Sequence, residues 1–93
     1  MAQNTDIVLA ADDWTQLTNA DITSITFQNK GTYYILVKGT TDATKPTNDD
    51  GAVRYNPGQG ERNVLLSDLF PGIAAARVWA YGIKSLEVLV SHA

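Results

Sequence analysis

The feature that most restricts this chain is its punctuation. Apolar and polar residues alternate in short runs, and Asn, Asp, Gly and Pro interrupt them about every eight to twelve residues. No stretch keeps a helical apolar period for as long as about ten residues. A period of two sends successive side chains to opposite faces of a strand, so each run reads as a strand with one face buried. About seven or eight such runs predict an all-β fold, a compact antiparallel β-sandwich or barrel with one short helical turn. The 93 residues leave room for one domain, residues 1–93.

Met1 to Asp6 is polar and without period, which predicts a flexible N-terminal arm over residues 1–6. Ile7 to Ala10 reads as a first strand. Trp14 to Leu17 reads as a second, closed by the turn-forming run Asn19-Ala20-Asp21. Ile22 to Gln28 alternates, with Ile25 and Phe27 on one face and Ser24, Thr26 and Gln28 on the other, and Asn29-Lys30-Gly31 predicts a hairpin turn after it. Tyr33 to Val37 is aromatic and β-branched on both faces, as in a central strand or one covered by another subunit. Thr40 to Asp50 predicts an exposed loop, closed by Asp50-Gly51. Ala52 to Tyr55 and Asn63 to Leu66 read as short strands around the turn cluster Asn56 to Gly60. Ser67 to Gly72 predicts one helical turn, capped by Ser67 or Asp68 and stopped by Pro71-Gly72. Ala76 to Tyr81 and Leu86 to Val90 alternate again, as two strands joined around Gly82.

Composition narrows the function. Apolar residues make up 44% of the chain, enough for a core, and the absence of cysteine removes disulfides and thiolate zinc sites. A net charge of −3, with basic residues spread singly, opposes a nucleic-acid partner, whose phosphates demand clustered Lys and Arg. No apolar run approaches the roughly 20 residues of a membrane-spanning helix, so no membrane partner is expected. The N-terminus lacks the basic start and apolar stretch of a secretory signal, which predicts a soluble protein made in the cytoplasm.

Catalytic chemistry is hard to assemble from these residues. The single histidine, His92, lies next to the C-terminal residue. Asp12 and Asp13 are adjacent, so on a strand they point to opposite faces and cannot flank a glycosidic bond, and Asp21 lies further on. Asn56 to Glu61 is glycine-rich but lacks the Lys-Ser/Thr and the helix of a phosphate loop. Asp42, Asn48, Asp49 and Asp50 offer oxygen ligands for a hard cation, but in a spacing that matches no EF-hand, and a solvated turn is the better reading. The expectation is a non-enzyme with no cofactor and no metal.

The aromatic residues carry more information. Trp14, Tyr33, Tyr55, Trp79 and Tyr81 are many large rings for a short chain. If Val78 and Ala80 face the core, Trp79 and Tyr81 point outward, and Trp beside Tyr is what interfaces are enriched in. The opposite arrangement, with Trp79 and Tyr81 inward, fits the alternation equally well. Tyr33, Tyr55, Trp79 and Tyr81, with arm residues Ala2, Gln3, Asn4, Thr5 and Asp6, are the expected interface.

Leu65 to Gly72, Arg77-Val78-Trp79-Ala80-Tyr81 and the closing Val88 to Ala93, preceded by Trp14 to Thr18 and Ile25 to Asn29, resemble small structural proteins from the virions of tailed bacteriophages. The resemblance spans most of the chain and rests on strand and turn patterns, not on a catalytic signature. It implies a decoration (cement) protein on the outer capsid surface, bound where subunits of the major capsid protein meet, with a homotrimer the favoured oligomer. A head-fibre, spike or tail component is the alternative that it also allows. From a different class comes a small carbohydrate-binding sandwich, in which Trp79 and Tyr81 would form a flat, coplanar stacking platform.

Overall fold

A computed structural model of the chain describes residues 2–93. In chain order it contains β1 (Gln3–Val8), β2 (Asp13–Gln16), β3 (Ser24–Asn29), β4 (Ile35–Thr40), β5 (Val53–Tyr55), β6 (Gly60–Leu65), the single turn α1 (Leu66–Leu69), β7 (Arg77–Gly82) and β8 (Glu87–His92). The eight strands form two four-stranded antiparallel sheets, ordered β1-β8-β3-β6 and β2-β7-β4-β5. The expected sandwich is therefore the fold.

The order has a simple logic. β1 pairs with β8, β2 with β7, β3 with β6 and β4 with β5, so the first half of the chain lies antiparallel along the second. The pairings β3·β8 and β4·β7 then close the two sheets. A long hairpin rolled over on itself in this way is a jelly roll. Its tip is the segment between β4 and β5, the loop expected over Thr40 to Asp50.

The core lies between the sheets and comes from the alternating positions. Ile25 and Phe27 of β3, Ile35 and Val37 of β4, Val78 and Ala80 of β7, and Val88 and Val90 of β8 are all fully buried. Leu9, Leu17 and Ile22, in the connections around β2, close the ends. Burying each of these side chains other than Ala80 contributes about 1.5–3 kcal/mol, which is what makes the period-two pattern specify the register.

Several expectations are corrected. Residues Gln3 to Asp6 are no arm: they belong to β1, in register from Gln3↔His92 to Val8↔Glu87, while Met1 lies outside the described residues. The ladder is made by backbone groups, so a polar edge strand leaves no apolar period to read. Asn29-Lys30-Gly31 is no hairpin turn either, because β3 and β4 belong to different sheets and the segment crosses between them. Asn29, fully buried, staples that crossing: its Nδ2 donates to the carbonyls of Tyr33 at 2.8 Å and Tyr55 at 3.3 Å, and its Oδ1 accepts from Gly31 N–H at 2.9 Å. The helical turn is held without a side-chain cap. Leu65 occupies the cap position, and buried Leu66 and Phe70 anchor the turn, with Phe70 N–H donating to Leu66 O at 2.8 Å.

Edge β6 carries an irregularity opposite β3, where Asn63 adopts a left-handed φ of 48° and its N–H turns to Thr26 Oγ1 at 2.8 Å. Such a bulge bends an edge away from further pairing. Among the described residues no helix is long and apolar enough to cross a membrane.

Candidate functional site

The register of the second sheet lines up its outer face. Trp14 of β2 sits opposite Tyr81 of β7, Tyr81 opposite Leu36 of β4, and Leu36 opposite Arg54 of β5. The next row on the same face holds Gln16, Trp79 and Lys38. Residues two apart on β7 must share a face, so placing Val78 and Ala80 in the core turns Trp79 and Tyr81 outward.

The Trp14 and Tyr81 rings meet at 5.4 Å between centroids, tilted by 55°. The Tyr81 hydroxyl donates to Asp12 Oδ1. That bond to a carboxylate, with some loss of hydration, raises the Tyr81 pKa. Asp12 reaches it from a left-handed backbone conformation, φ 59°.

The tip loop is tied down over this face. Lys45 Nζ pairs with Asp13 Oδ2 of β2 at 3.0 Å, and this partner holds the Asp13 carboxyl below its usual pKa. Lys38 Nζ of β4 donates to Asn48 Oδ1 at 2.9 Å and to Asn48 O at 3.2 Å. A segment anchored on β2 at one end and on β4 at the other must cross β7, which lies between them. Pro46, between the two anchors, is the one buried residue of residues 41–50. This crossing accounts for Trp79, which faces outward and yet is only 5% exposed. Its indole Nε1–H donates to Thr40 Oγ1 at 2.9 Å.

Between loop and sheet a groove of about 450 Å³ stays open, with Trp14, Tyr34, Leu36, Tyr81 and Ile83 on the sheet side and Thr47, Asn48 and Asp49 on the loop side. Its aromatic lining continues toward one end of the sandwich. Tyr33 and Tyr34 lie 5.4 Å apart, the Arg54 guanidinium stands 4.1 Å over the Tyr34 ring, and Lys84 Nζ stands 5.3 Å over the Tyr33 ring. Tyr33 and Ile83, each 39% exposed, form the outer rim.

The structure sorts the expected interface residues into three places. Tyr33 and Tyr81 belong to this aromatic surface. Tyr55 does not: it is core, 6% exposed, with its ring edge-on to Phe27 at 4.9 Å and its hydroxyl donating to Glu61 Oε2 at 3.1 Å. Burial first, and then Glu61, push its phenol pKa far above the usual range. Trp79 is likewise covered, so the flat platform of Trp79 and Tyr81 is not present.

Gln3, Asn4, Thr5 and Asp6 lie on β1 of the other sheet, preceded by exposed Ala2. Gln3 Nε2 donates to Leu17 O at 3.0 Å, its Oε1 lies 3.1 Å from His92 Nε2, and Asp6 pairs with Lys30 at 2.9 Å. The aromatic and N-terminal groups therefore form two surfaces and not one.

Of the remaining candidates, all but Asp49 and Asp50 have partners for their side chains. His92 is buried on β8 beside Gln3, and Asp12, Asp13 and Asp21 diverge to Tyr81, Lys45 and Arg77. Asp42 Oδ1 accepts from Thr44 N–H at 2.9 Å, which lowers its pKa, and Asn48 Oδ1 accepts from Asp50 N–H at 3.1 Å. No group of three or more His, Cys, Asp or Glu among the described residues is arranged to hold a metal ion.

Trp14, Tyr34, Leu36, Arg54 and Ile83 join the surface without having been marked in the sequence as interface residues. The one signal available was the doubly apolar run Tyr33 to Val37, whose outer half lines the groove. Comparison with protein-family models, curated proteins and solved structures returns no match.

Proposed function

We propose that this chain is a non-catalytic docking module, a decoration protein on the outer surface of a bacteriophage capsid that binds the major capsid protein and stabilises the shell. The observation that supports docking is the aromatic surface of Tyr33, Tyr34, Tyr81 and Ile83 with Arg54, and the capsid as partner is what the sequence resemblance adds. Tyr, Trp and Arg are the residues that dominate binding energy at protein interfaces. Tyr81 is held on β7, and Tyr34 is pinned under Arg54 directly before β4, so these rings lose little entropy on docking. Asp12, Asp13 and Tyr81 beside the surface are engaged in hydrogen bonds and an ion pair, a state suited to presenting a shape. Many copies on a repeating shell would convert modest single contacts into high avidity, and a trimer would match three-fold positions between subunits.

A head-fibre or tail component would use the same surface elsewhere on the virion. A carbohydrate-binding module is the reading from a different class, and the groove lined by Trp14, Tyr34 and Tyr81 favours it, in place of the platform expected from Trp79.

The test is to add the purified protein to heads of the encoding phage that lack it and to count bound copies by cryo-electron microscopy. Tens to hundreds of copies at symmetry-related shell positions are expected. Density confined to the portal or tail would replace the capsid reading with the fibre or tail one, and no density anywhere would sink both.

A further inference from the structure

The groove between the tip loop and the second sheet combines features that select one kind of guest. Its sheet side presents the rings of Tyr34 and Tyr81 and the small accessible part of Trp14, which is 7% exposed, with aliphatic Leu36 and Ile83 beside them. Its loop side presents Asp49, the one charged residue of the lining. None of the three ion pairs among the described residues uses that carboxylate. Two cations that tie the loop to the sheet are engaged elsewhere, Lys45 with Asp13 and Lys38 with Asn48.

We propose that this groove receives the cationic side chain, lysine or arginine, of the protein on which the module docks. Aromatic faces attract cations through their quadrupole, and a carboxylate beside them adds a direct charge partner. The surface already uses this chemistry internally: Arg54 covers Tyr34 and Lys84 covers Tyr33, each within cation–π distance. Arg54 does so from the neighbouring hollow, which it lines with Tyr33, Tyr34 and Pro57, so it occupies one face of the shared Tyr34 ring while the groove lining itself contains no basic residue. The aliphatic part of a long basic side chain would lie along Leu36 and Ile83 while its head reaches the rings and Asp49. A volume of about 450 Å³ is ample for one such side chain. The net charge of −3 favours approach by a basic surface over approach by an acidic one.

This inference rests on the docking reading but is tested without any shell. The isotope-labelled protein is titrated with Nα-acetyl-lysine amide and Nα-acetyl-arginine amide. Nα-acetyl-norleucine amide serves as the uncharged control and N-acetylglucosamine as the sugar control. The basic amides should shift the Trp14 indole N–H and the Leu36 and Ile83 methyl signals saturably, and more weakly as salt is added. Asp49→Asn, a change at an exposed loop position, should reduce the affinity about two- to five-fold with the spectrum otherwise intact. Equal shifts with norleucine amide would show a merely apolar groove, and shifts confined to the sugar would show a glycan site. Either result, or no shift at all, overturns the proposal. Cation binding without shell docking would sink the decoration reading alone. Shell docking unaffected by Asp49→Asn and Tyr34→Leu would sink this inference alone.

Discussion

Asn29 gives the sharpest energetic test of the fold. Asn29→Ala removes the side chain that serves the carbonyls of Tyr33 and Tyr55 and the N–H of Gly31, at a site with no exposed surface. The backbone bonds of Asn29 itself, to Gln59 and from Gly58, remain. Each orphaned group costs about 1–3 kcal/mol, the Tyr55 carbonyl most because its bond is fully buried and the Tyr33 carbonyl and Gly31 N–H less because theirs are part-buried, so three groups together should cost about 3–5 kcal/mol. A domain of this size has about 5–14 kcal/mol in total, so the loss is a large share of it. The midpoint of thermal unfolding should fall by at least about 12 °C, at about 4–8 °C for each kcal/mol. Urea unfolding followed by tryptophan fluorescence provides the free energy, with an unchanged m-value showing that the two-state comparison is sound. Asn29→Asp, which keeps the acceptor for Gly31 but loses both donors and buries a charge, should be at least as harmful. A loss below about 1 kcal/mol for Asn29→Ala would refute the view that this side chain staples the crossing between the sheets.

Two further perturbations probe other parts of the structure. A Cβ at Gly60 would stand 2.7 Å from the Gln28 backbone Cα, and neither strand can yield without breaking the ladder. Gly60→Ala should therefore cost at least about 2 kcal/mol in the same unfolding assay, and a neutral result would show that β6 is free to shift. The Asp13–Lys45 pair predicts a pH response of the loop. Because the folded pKa of Asp13 lies below its unfolded value of about 3.9, the contribution is present above that pH and is lost as pH falls through the folded pKa. Backbone resonances around Pro46 should broaden or shift at that acid step, and Lys45→Ala should move the Asp13 titration upward; an unmoved titration would remove Lys45 as the cause.

What could be read from the residues depended on which physical force each one reports. Burial writes itself into side chains. Ile25 and Phe27 fall on the core face expected from their alternation, and Val78 with Ala80 resolves the choice that alternation left open on β7. Backbone pairing writes nothing, which is why polar Gln3 to Asp6 looked like an arm when it supplies four of the six pairs of the β1·β8 ladder. Tyr55 shows the opposite failure: an amphipathic ring with interface character is drawn inward because Phe27 offers an edge-on contact and Glu61 satisfies the hydroxyl.

The groove was the least legible part. Trp14 and Tyr81 are far apart in the chain and meet only because β2 pairs with β7, and the roof over Trp79 exists because Lys45 and Lys38 anchor the loop on two different strands. By itself the sequence determined that this chain would be all-β, with about eight short strands around one core, because a period of two leaves only one face to bury. The tertiary structure alone decided that Asn29 would carry the chain from one sheet to the other and that the rings would line a groove. Strand order and loop position are long-range pairings, set by the packing of the whole sandwich and by no segment within it.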